Sequence, residues 1–245
     1  MTQNIYDQED FFAGYSRLAR STEGLDGAAE WPSIRALLPP IEGLRVLDLG
    51  CGFGWFARWA REQGAASVTA MDVSANMLAR AAEMTNDPAI KYMRGDLETL
   101  ELPEASFDLA YSSLAFHYIA NLEHTFSVIR RALGPNAPFV FSVEHPIYTA
   151  PSAPGFSAGS GGRPVWPLDR YLDEGDRRTD WLAKGVIKRH RTIGSYVGLL
   201  LGAGFTLTHL EEWGPTAEQI ARHPQWAAER ERPAFMLVAA RARSS

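Results

Sequence analysis

The chain has 245 residues, of which 46% are hydrophobic and 22% are charged, an ordinary composition for a globular protein. The formal net charge is -5 and the isoelectric point is near 5.7, and no basic stripe stands out. The chain therefore lacks the electrostatic footprint of a protein that binds nucleic acid or an anionic membrane. Cys51 is the only cysteine, which excludes an intrachain disulfide and a cysteine-rich zinc site.

The N-terminal region, residues 1–43, is rich in aromatic side chains and is expected to be helical in pieces. Its start is polar and acidic without a signal-peptide pattern, and no run in the chain approaches the roughly 18 apolar residues of a membrane span. We therefore expect a cytoplasmic protein without a membrane partner. The aromatic residues of this leader include Tyr6, Phe11, Phe12, Tyr15 and Trp31.

The sequence VLDLGCGFG spans residues 46–54. It begins within an apolar strand predicted over residues 44–49 and ends with a glycine-rich loop at Gly54. A dinucleotide site favours G-x-G-x-x-G, in which the third glycine lets the following helix pack close to the strand. Gly50 and Gly52 fit this spacing, but Trp55 stands where the third glycine should be. The spacing therefore disfavours a nicotinamide dinucleotide as the ligand.

Asp48 precedes Gly50 by two residues and places a carboxylate beside this loop. A pyrophosphate would meet like-charge repulsion here, whereas a ligand with a cationic sulfonium and an ammonium group would be attracted. The loop therefore favours S-adenosylmethionine, and an NAD oxidoreductase is a less favoured alternative. A glycine-rich turn with a purely structural role is the other alternative, although a buried aspartate without a partner is costly.

The same segment resembles the first signature motif of the class I S-adenosylmethionine-dependent methyltransferases, written hhDhGxGxG with h for an apolar residue. Within that class the chain resembles the type 11, UbiE-like group. The resemblance implies that the backbone of Gly50, Cys51 and Gly52 approaches the methionine half of the cofactor. It also implies that Asp48 lies near the amino group of that half.

Strands and helices alternate along the rest of the chain. Helices are predicted over residues 53–63, from Ser74 to about residue 85, over 122–133, and from about 192 to 203. Further strands are predicted over residues 67–72, 90–94, 107–112, 138–145, 205–213 and 234–242. Residues 146–190, with a Pro-, Gly- and Ser-rich patch at 151–164, are expected to be irregular with isolated helical turns.

This alternation predicts an α/β fold with a mostly parallel sheet, in which ligands bind beyond the carboxyl ends of the strands. The resemblance extends this to a Rossmann-like sheet of seven strands, with helices on both faces and an antiparallel C-terminal edge hairpin. We expect a single methyltransferase domain over residues 1–245. Its parts are a helical leader or lid at 1–43, a cofactor-binding core at 44–145, a substrate-side insertion at 146–190, and a C-terminal helix with edge strands at 191–245.

Asp72 ends the second predicted strand, where a carboxylate suits the two hydroxyl donors of a ribose. A favourable position at a helix N-terminus is the alternative explanation for this residue. The resemblance implies that Val73 and Met77 pack against the adenine. It also implies that Asp96 accepts from the exocyclic amine of the adenine and that the amide of Leu97 serves a ring nitrogen.

The stretch FDLAYSSLAFHYI at residues 107–119 resembles the fourth-strand signature of the same family. The resemblance implies that Ser112 and Ser113 line the pocket through their backbone groups. Tyr15 and Arg20 of the leader are expected to reach the carboxylate of the cofactor, since members of this family close the site with an N-terminal helix.

A sulfonium is already an activated leaving group, so methyl transfer needs no metal and no acid. It needs alignment of the nucleophile and a base where a proton must be removed. The candidate bases are His117 after the fourth strand, Glu144 and His145 at the end of the fifth, and His190 before the late helix. Each has a structural alternative, such as packing or turning the chain.

Aromatic residues of the insertion suggest a lid over a partly apolar acceptor, or a simple cover for the end of the sheet. They are Trp166, Tyr171 and Trp181. The sequence SSLAFHY after the fourth strand lacks the Asn/Asp-Pro-Pro-aromatic motif of the DNA amino-methylases and the acidic metal ligands of the catechol type. A cytosine-C5 enzyme would need a Pro-Cys nucleophile, but Cys51 sits in the glycine loop.

We therefore predict transfer of a methyl group from S-adenosylmethionine to an oxygen, nitrogen or carbon atom of a small-molecule acceptor by in-line displacement. S-adenosylhomocysteine is the expected product, and neither a metal nor a nucleic acid is expected to bind. Two alternatives remain open. One is a methyltransferase that acts on tRNA or another macromolecule, and the other is a non-catalytic module that binds S-adenosylmethionine.

Overall fold

The structure is a computed structural model that describes residues 3–244. The α-helices are α1 (Glu9–Tyr15), α2 (Ala19–Thr22), α3 (Trp31–Ala36), α4 (Trp55–Glu62), α5 (Ala75–Glu83), α6 (Leu122–Ala132), α7 (Pro146–Thr149), α8 (Ile193–Gly202) and α9 (Ala217–Arg222). Short 3-10 helices lie at Ile5–Asp7, Gly24–Gly27, Leu97–Thr99, Phe116–Tyr118, Ser160–Gly162 and Pro224–Glu231.

Of the eleven strands within residues 3–244, the seven of the main sheet were predicted, and four lie in the insertion at residues 146–190. The strands are β1 (Arg45–Leu49), β2 (Ser67–Asp72), β3 (Ile90–Arg94), β4 (Leu109–Ser113), β5 (Pro138–Glu144), β6 (Ser157–Ala158), β7 (Pro164–Val165), β8 (Gly175–Trp181), β9 (Ala183–His190), β10 (Phe205–Trp213) and β11 (Phe235–Ala242).

The main sheet has seven strands within residues 3–244, in the order β10-β11-β5-β4-β1-β2-β3. The five neighbouring strands β5, β4, β1, β2 and β3 pair in parallel. Strand β11 pairs antiparallel with both β5 and β10. This confirms the predicted Rossmann-like sheet and its antiparallel edge hairpin. The chain first moves outward from β1 to β3 and then returns to β4 on the other side of β1. Ligands bind at such a reversal, beyond the carboxyl ends of β1 and β4.

Apolar side chains cover both faces of the sheet, as predicted. On one face, Phe126 of α6 and Leu200 of α8 pack with Phe139 and Phe141 of β5. On the other face, Phe56 of α4 packs with its neighbours from α3 and β1. Each such side chain contributes on the order of 1.5–3 kcal/mol by its burial. This two-sided core holds the strand ends, and therefore the predicted site, in fixed positions.

The insertion at residues 146–190 differs from the expectation of an irregular segment. Strands β8 and β9 form a separate antiparallel hairpin, in register from Gly175 opposite His190. In β9 every second side chain is turned inward, with Val186, Lys188 and His190 buried. Two of these three residues are polar, so the alternation lacks the apolar signature from which a strand is usually predicted.

The C-terminal part contains a helix that the sequence analysis did not predict. Helix α9 begins after Thr216, whose side chain accepts from the Gln219 backbone, while the Gln219 side chain accepts from the Thr216 backbone. This is a capping box, and its sequence signal was present. Among residues 3–244, no helix has the length and apolar character that a bilayer span requires.

Candidate active site

The glycine loop after β1 needs glycine at three positions. Gly50, Gly52 and Gly54 all have positive φ, at 76°, 51° and 70°. A Cβ on Gly50 would lie 2.5 Å from the Cβ of Ala115. A Cβ on Gly52 would instead point into open space, with the Tyr15 hydroxyl as its nearest neighbour at 4.0 Å. The bare backbone at Gly52 therefore leaves room for a ligand.

Asp72 at the end of β2 fixes this loop. Its Oδ2 accepts from the Gly52 backbone N–H at 2.9 Å, and its Oδ1 accepts from the Ser74 N–H at 2.9 Å. Burial raises the pKa of this carboxyl above its ordinary value. The same carboxylate lines the cavity that holds the glycine loop, called the main cavity below, so it can accept from a ligand hydroxyl as well.

Asp48 lies near the carboxyl end of β1, between β4 and β2 in the sheet, and is almost completely buried. Within residues 3–244 its Oδ2 has no hydrogen-bond partner. Burial, and then the charge of Asp72, raise the pKa of Asp48 from 3.8 to about 8. The ionised carboxylate of Asp48 is therefore destabilised in the free protein, and a cation placed beside it would stabilise the ionised form.

The main cavity has a volume of about 320 Å³ and lies at the carboxyl ends of the parallel strands. It contains most of the residues that the sequence analysis assigned to the cofactor. They are Tyr15, Arg20, Gly50, Gly52, Asp72, Val73, Met77, Asp96, Leu97 and Ser113. Residues from the leader, from four strand ends and from α5 thus surround one space.

Three predicted cofactor residues lie outside this lining. Asp48 and Cys51 line a smaller cavity of about 90 Å³, which shares Tyr15, Arg20 and Gly52 with the main one. Burial raises the pKa of the Cys51 thiol well above its ordinary value, which disfavours the nucleophilic thiolate. Ser112 is fully buried and its hydroxyl donates to the Leu49 carbonyl at 2.7 Å, which joins β4 to β1.

Arg20 is placed between the two cavities. Its guanidinium donates to both carboxylate oxygens of Glu30, at 3.1 and 3.2 Å, and Glu30 is buried. The ion pair fixes the guanidinium beside the smaller cavity, which Glu30 also lines. Arg20 thus lines both cavities, and its contact with the carboxylate of the cofactor stays a prediction.

His117 is the one histidine candidate that lines the cavity among the described residues. Its Nδ1 accepts from the backbone N–H of Glu144 at 3.3 Å, so the proton of the neutral ring sits on Nε2. Burial lowers the pKa of His117 to about 4. The ring is therefore a neutral hydrogen-bond donor at physiological pH and a poor general base.

His145 and His190 lie outside the cavity lining of the described chain. His145 accepts from the Ile147 N–H through Nδ1 and contacts Glu212 through Nε2 at 2.9 Å. His190 contacts the Thr149 hydroxyl and the Tyr171 carbonyl, each at 2.9 Å. Both ring nitrogens of each histidine are thus engaged where β5 and the hairpin end, and a catalytic role for either residue stays a prediction.

Glu144 lines the cavity and forms a buried ion pair that the sequence analysis did not foresee. Its Oε1 lies 2.5 Å from the Nζ of Lys188, on the inward face of β9. The ammonium also lies over the ring of Trp181, 5.0 Å from its centroid. In the part of the chain that the structure describes, Glu144 Oε2 has no hydrogen-bond partner. Glu144 can therefore accept from an acceptor molecule without giving up Lys188.

The leader and the hairpin both contribute side chains to the cavity lining, and both are tied to their surroundings. Asp7 accepts from the Ser74 hydroxyl at 2.5 Å and from the Asn76 N–H at 3.1 Å, which ties the leader to the start of α5. The side chain of Gln3 exchanges hydrogen bonds with the backbone of Gly185 and Ile187 in β9. These two segments, called the cover below, are thus held on both sides.

Aromatic side chains form the inner surface of this cover. Tyr6, Tyr15 and Trp181 line the cavity, and Tyr6 packs edge-on against Tyr15 and Tyr118. Of the other lid candidates, Tyr171 meets His190 instead, and Trp166 stacks on Tyr148. Among residues 3–244, no group of three or more His, Cys, Asp or Glu side chains could hold a metal ion.

Comparison with known proteins places this arrangement in a family. Residues 47–141 match the family model described as a methyltransferase domain. The crystal structure of an S-adenosylmethionine-dependent methyltransferase from Mesorhizobium loti is 56% identical, with a TM-score of 0.86, over 89% of this chain and 100% of that one. An uncharacterized protein of Haemophilus influenzae is 33% identical over 97% of this chain and 96% of its own length.

A third relative matches over a smaller part. The malonyl-[acyl-carrier protein] O-methyltransferase of Pectobacterium atrosepticum is 40% identical over 107 residues, which is 44% of this chain and 41% of that protein. A match of this length cannot extend from the glycine loop to Glu229 and Arg232 at the other end of the cavity.

Proposed function

Since the chain belongs to the family of S-adenosylmethionine-dependent methyltransferases, we propose that it transfers the methyl group of this cofactor to a small-molecule acceptor by in-line displacement. The observation that carries the proposal is one continuous cavity. It runs from Gly52 and Asp72 at one end to Glu144 and Tyr148 at the other, under a cover formed by the leader and Trp181.

The residues around the glycine loop fit the cofactor. Asp72 would accept from the ribose hydroxyls, and Asp48 would pair with the cationic ammonium of the methionine half. Asp96 would accept from the adenine amine, with Val73 and Met77 as apolar walls. The chemistry that bound S-adenosylmethionine supplies is a methyl group on a positively charged sulfur, already activated as a leaving group. A ligand with two cationic groups suits the buried and unpartnered Asp48 carboxylate, within the described chain, better than a pyrophosphate does.

At the acceptor end, the side chains of this protein would orient a nucleophile and receive its proton. Glu144 Oε2 would accept from an O–H or N–H of the acceptor, while Lys188 fixes the other oxygen. His117 would donate from Nε2 to an acceptor oxygen. The aromatic cover would exclude water, so each of these interactions acts in a medium of low dielectric constant.

The experiment uses S-adenosylmethionine with a trideuterated methyl group and a cell extract divided by size into small molecules and macromolecules. We expect mass spectrometry to find the labelled methyl group on a small molecule and labelled S-adenosylhomocysteine to be absent. Asp72→Ala is the control that should lose this transfer. Label found only in the tRNA or protein fraction would contradict the proposal.

An acceptor carried on a protein is the second candidate. It is favoured by the match to malonyl-[acyl-carrier protein] O-methyltransferases. That match covers less than half of either chain, and the acceptor end of this cavity is built from segments far apart in the sequence. The protein fraction of the same experiment would contain this product.

A further inference from the structure

Arg232 is a buried cation at the acceptor end of the cavity that none of the interactions above uses. It precedes β11 and is 5% exposed, and its side chain lines the cavity together with Glu229 and Tyr148. We propose that Arg232 binds a carboxylate group of the acceptor, an inference that rests on the proposed function. The acceptor is then a small carboxylic acid that carries a second O–H or N–H group as the methylated nucleophile.

The guanidinium of Arg232 is packed against three aromatic rings. Its carbon lies 4.3 Å from the ring centroid of Trp166, 4.5 Å from that of Tyr148 and 5.2 Å from that of Phe156. Trp166 is itself anchored, because its indole N–H donates to the Ile147 carbonyl at 2.9 Å. A planar fork held in this way is suited to bidentate recognition of a carboxylate.

The hydrogen-bond donors of Arg232 are incompletely used. Glu229 Oε2 lies 2.9 Å from Nη1, but not in line for a hydrogen bond, and Glu229 Oε1 is 3.4 Å from Nη2. Within residues 3–244 neither Nε nor Nη1 has a hydrogen-bond partner. Buried donors without acceptors are uncommon in proteins, and a carboxylate from the cavity would satisfy them.

Glu229 indicates which anion fits. It lies in the 3-10 helix Pro224–Glu231, which buries none of its own residues, and it shows that a carboxylate can reach this guanidinium from the cavity side. A phosphate dianion would meet both Glu229 and Glu144, whereas a carboxylate carries a single charge and can share or replace the Glu229 contact. The site therefore favours a carboxylate.

The second half of the acceptor follows from the position of Tyr148. Its ring lies 4.5 Å from the Arg232 guanidinium carbon and 5.8 Å from the Lys188 ammonium, which is bonded to Glu144. The unpartnered donors of Arg232 and the unpartnered Glu144 Oε2, each so within the described residues, thus belong to side chains that line the same cavity close to one aromatic ring. A short acid with an O–H or N–H group would satisfy both.

The first test removes carboxylates from the acceptor pool. A small-molecule extract is treated with carbodiimide and methylamine, which convert free carboxylates into neutral amides, and a mock sample omits the carbodiimide. We expect treatment to reduce methyl acceptance at least tenfold. Unchanged acceptance would overturn the inference. A mock extract that accepts no methyl group would contradict the proposed function, and the inference with it.

The second test changes the protein. With untreated extract, Arg232→Gln should need roughly 10- to 100-fold more extract for half-maximal rate. Its affinity for S-adenosylhomocysteine, measured by calorimetry, should stay within about twofold, which also verifies folding. Arg163→Gln removes an exposed ion pair with Glu231 beside the same segment and should change neither quantity. If Arg232→Gln does not fold, Arg232→Lys keeps the charge and should show the same selective loss. A normal extract dependence in either folded variant would overturn the inference.

Discussion

The backbone N–H of Glu144 donates to Nδ1 of His117, 3.3 Å away, and this bond decides which role the imidazole can have. The neutral ring then carries its proton on Nε2, and burial lowers the pKa of His117 to about 4. Glu144 contributes its carboxylate to the same cavity. One residue at the end of β5 therefore both sets the tautomer of the histidine and offers the acceptor a carboxylate.

We expect His117→Gln, which keeps a donor near the Nε2 position, to retain the shape of the wild-type pH profile of kcat/KM. The physical reason is that a ring with a pKa about 4 is neutral throughout pH 5.5–8. Steady-state rates across this pH range are the measurement. A wild-type loss of activity near pH 6.5, the ordinary pKa of histidine, that disappears in the variant would show that His117 acts as a base.

Cofactor binding should release a proton from Asp48 at pH 7. The pKa of this carboxyl is about 8 in the free protein, and an ammonium beside it would lower that pKa. Affinity for S-adenosylhomocysteine should therefore fall as the pH drops below 8. Calorimetry in buffers of different ionisation enthalpy measures the proton directly. Binding without proton release at pH 7 would contradict the pairing of Asp48 with the cofactor.

Asp48→Asn should separate stability from binding. The folded-state pKa of Asp48 is raised, so the folded protein holds a proton that the unfolded chain loses, and the stability of the wild type falls as the pH rises from about 4 to 8. The free variant should gain in melting temperature over the wild type across this range, yet bind S-adenosylhomocysteine roughly 10- to 100-fold more weakly. A variant that is less stable than the wild type at pH 8 would contradict the burial argument.

Lys188→Met should destabilise the fold by about 3–5 kcal/mol, because it leaves Glu144 buried without its partner. Chemical denaturation measures this change. The neighbouring Arg189 forms an exposed pair with Asp176, so Arg189→Met should cost less than about 1 kcal/mol and serves as the matched control.

The double variant Lys188→Met/Glu144→Gln tests the role of the carboxylate itself. It should recover most of the lost stability, since no charge is left unpaired, but it should not recover methyl transfer. Recovery of both stability and turnover would show that the pair is only structural.

Gly52→Ala should weaken S-adenosylhomocysteine binding, because its methyl group would enter the open space beside Tyr15. Gly43→Ala is the control, since Gly43 also has a positive φ, and no atom of the described residues lies within 4 Å of its added Cβ. Both variants should lose on the order of 1–2 kcal/mol of stability through backbone strain. Equal cofactor affinity in the two variants would contradict the placement of the ligand at Gly52.

The main sheet could be predicted from the sequence because its signals are local. The strand–glycine-loop motif at residues 46–54 and the acid at Asp72 each lie within a few residues of the structure they specify. The seven strands of the sheet follow from apolar runs separated by helices. The same local signals place most of the predicted cofactor residues around one cavity.

The acceptor end could not be predicted in the same way. The hairpin of β8 and β9 turns the polar side chains of Arg177 and Lys188 inward, so its sequence lacks the apolar alternation that predicts a strand. Lys188 pairs with Glu144, which lies 44 residues earlier in the chain. Arg232 likewise depends on three aromatic rings more than 60 residues earlier in the chain. The sequence could not distinguish the candidate histidines for a different reason, because only the hydrogen bonds of each ring nitrogen separate His117 from His145.

The most direct measurement is a crystal structure of the protein with S-adenosylhomocysteine and the small acid identified in the extract. We predict that the ribose hydroxyls contact Asp72, that the amino group lies beside Asp48, and that the sulfur faces the cavity end formed by Glu144 and Arg232. The acid should lie between these two side chains. A cofactor whose sulfur points away from Glu144, or one bound outside the cavity at Gly52, would contradict this account.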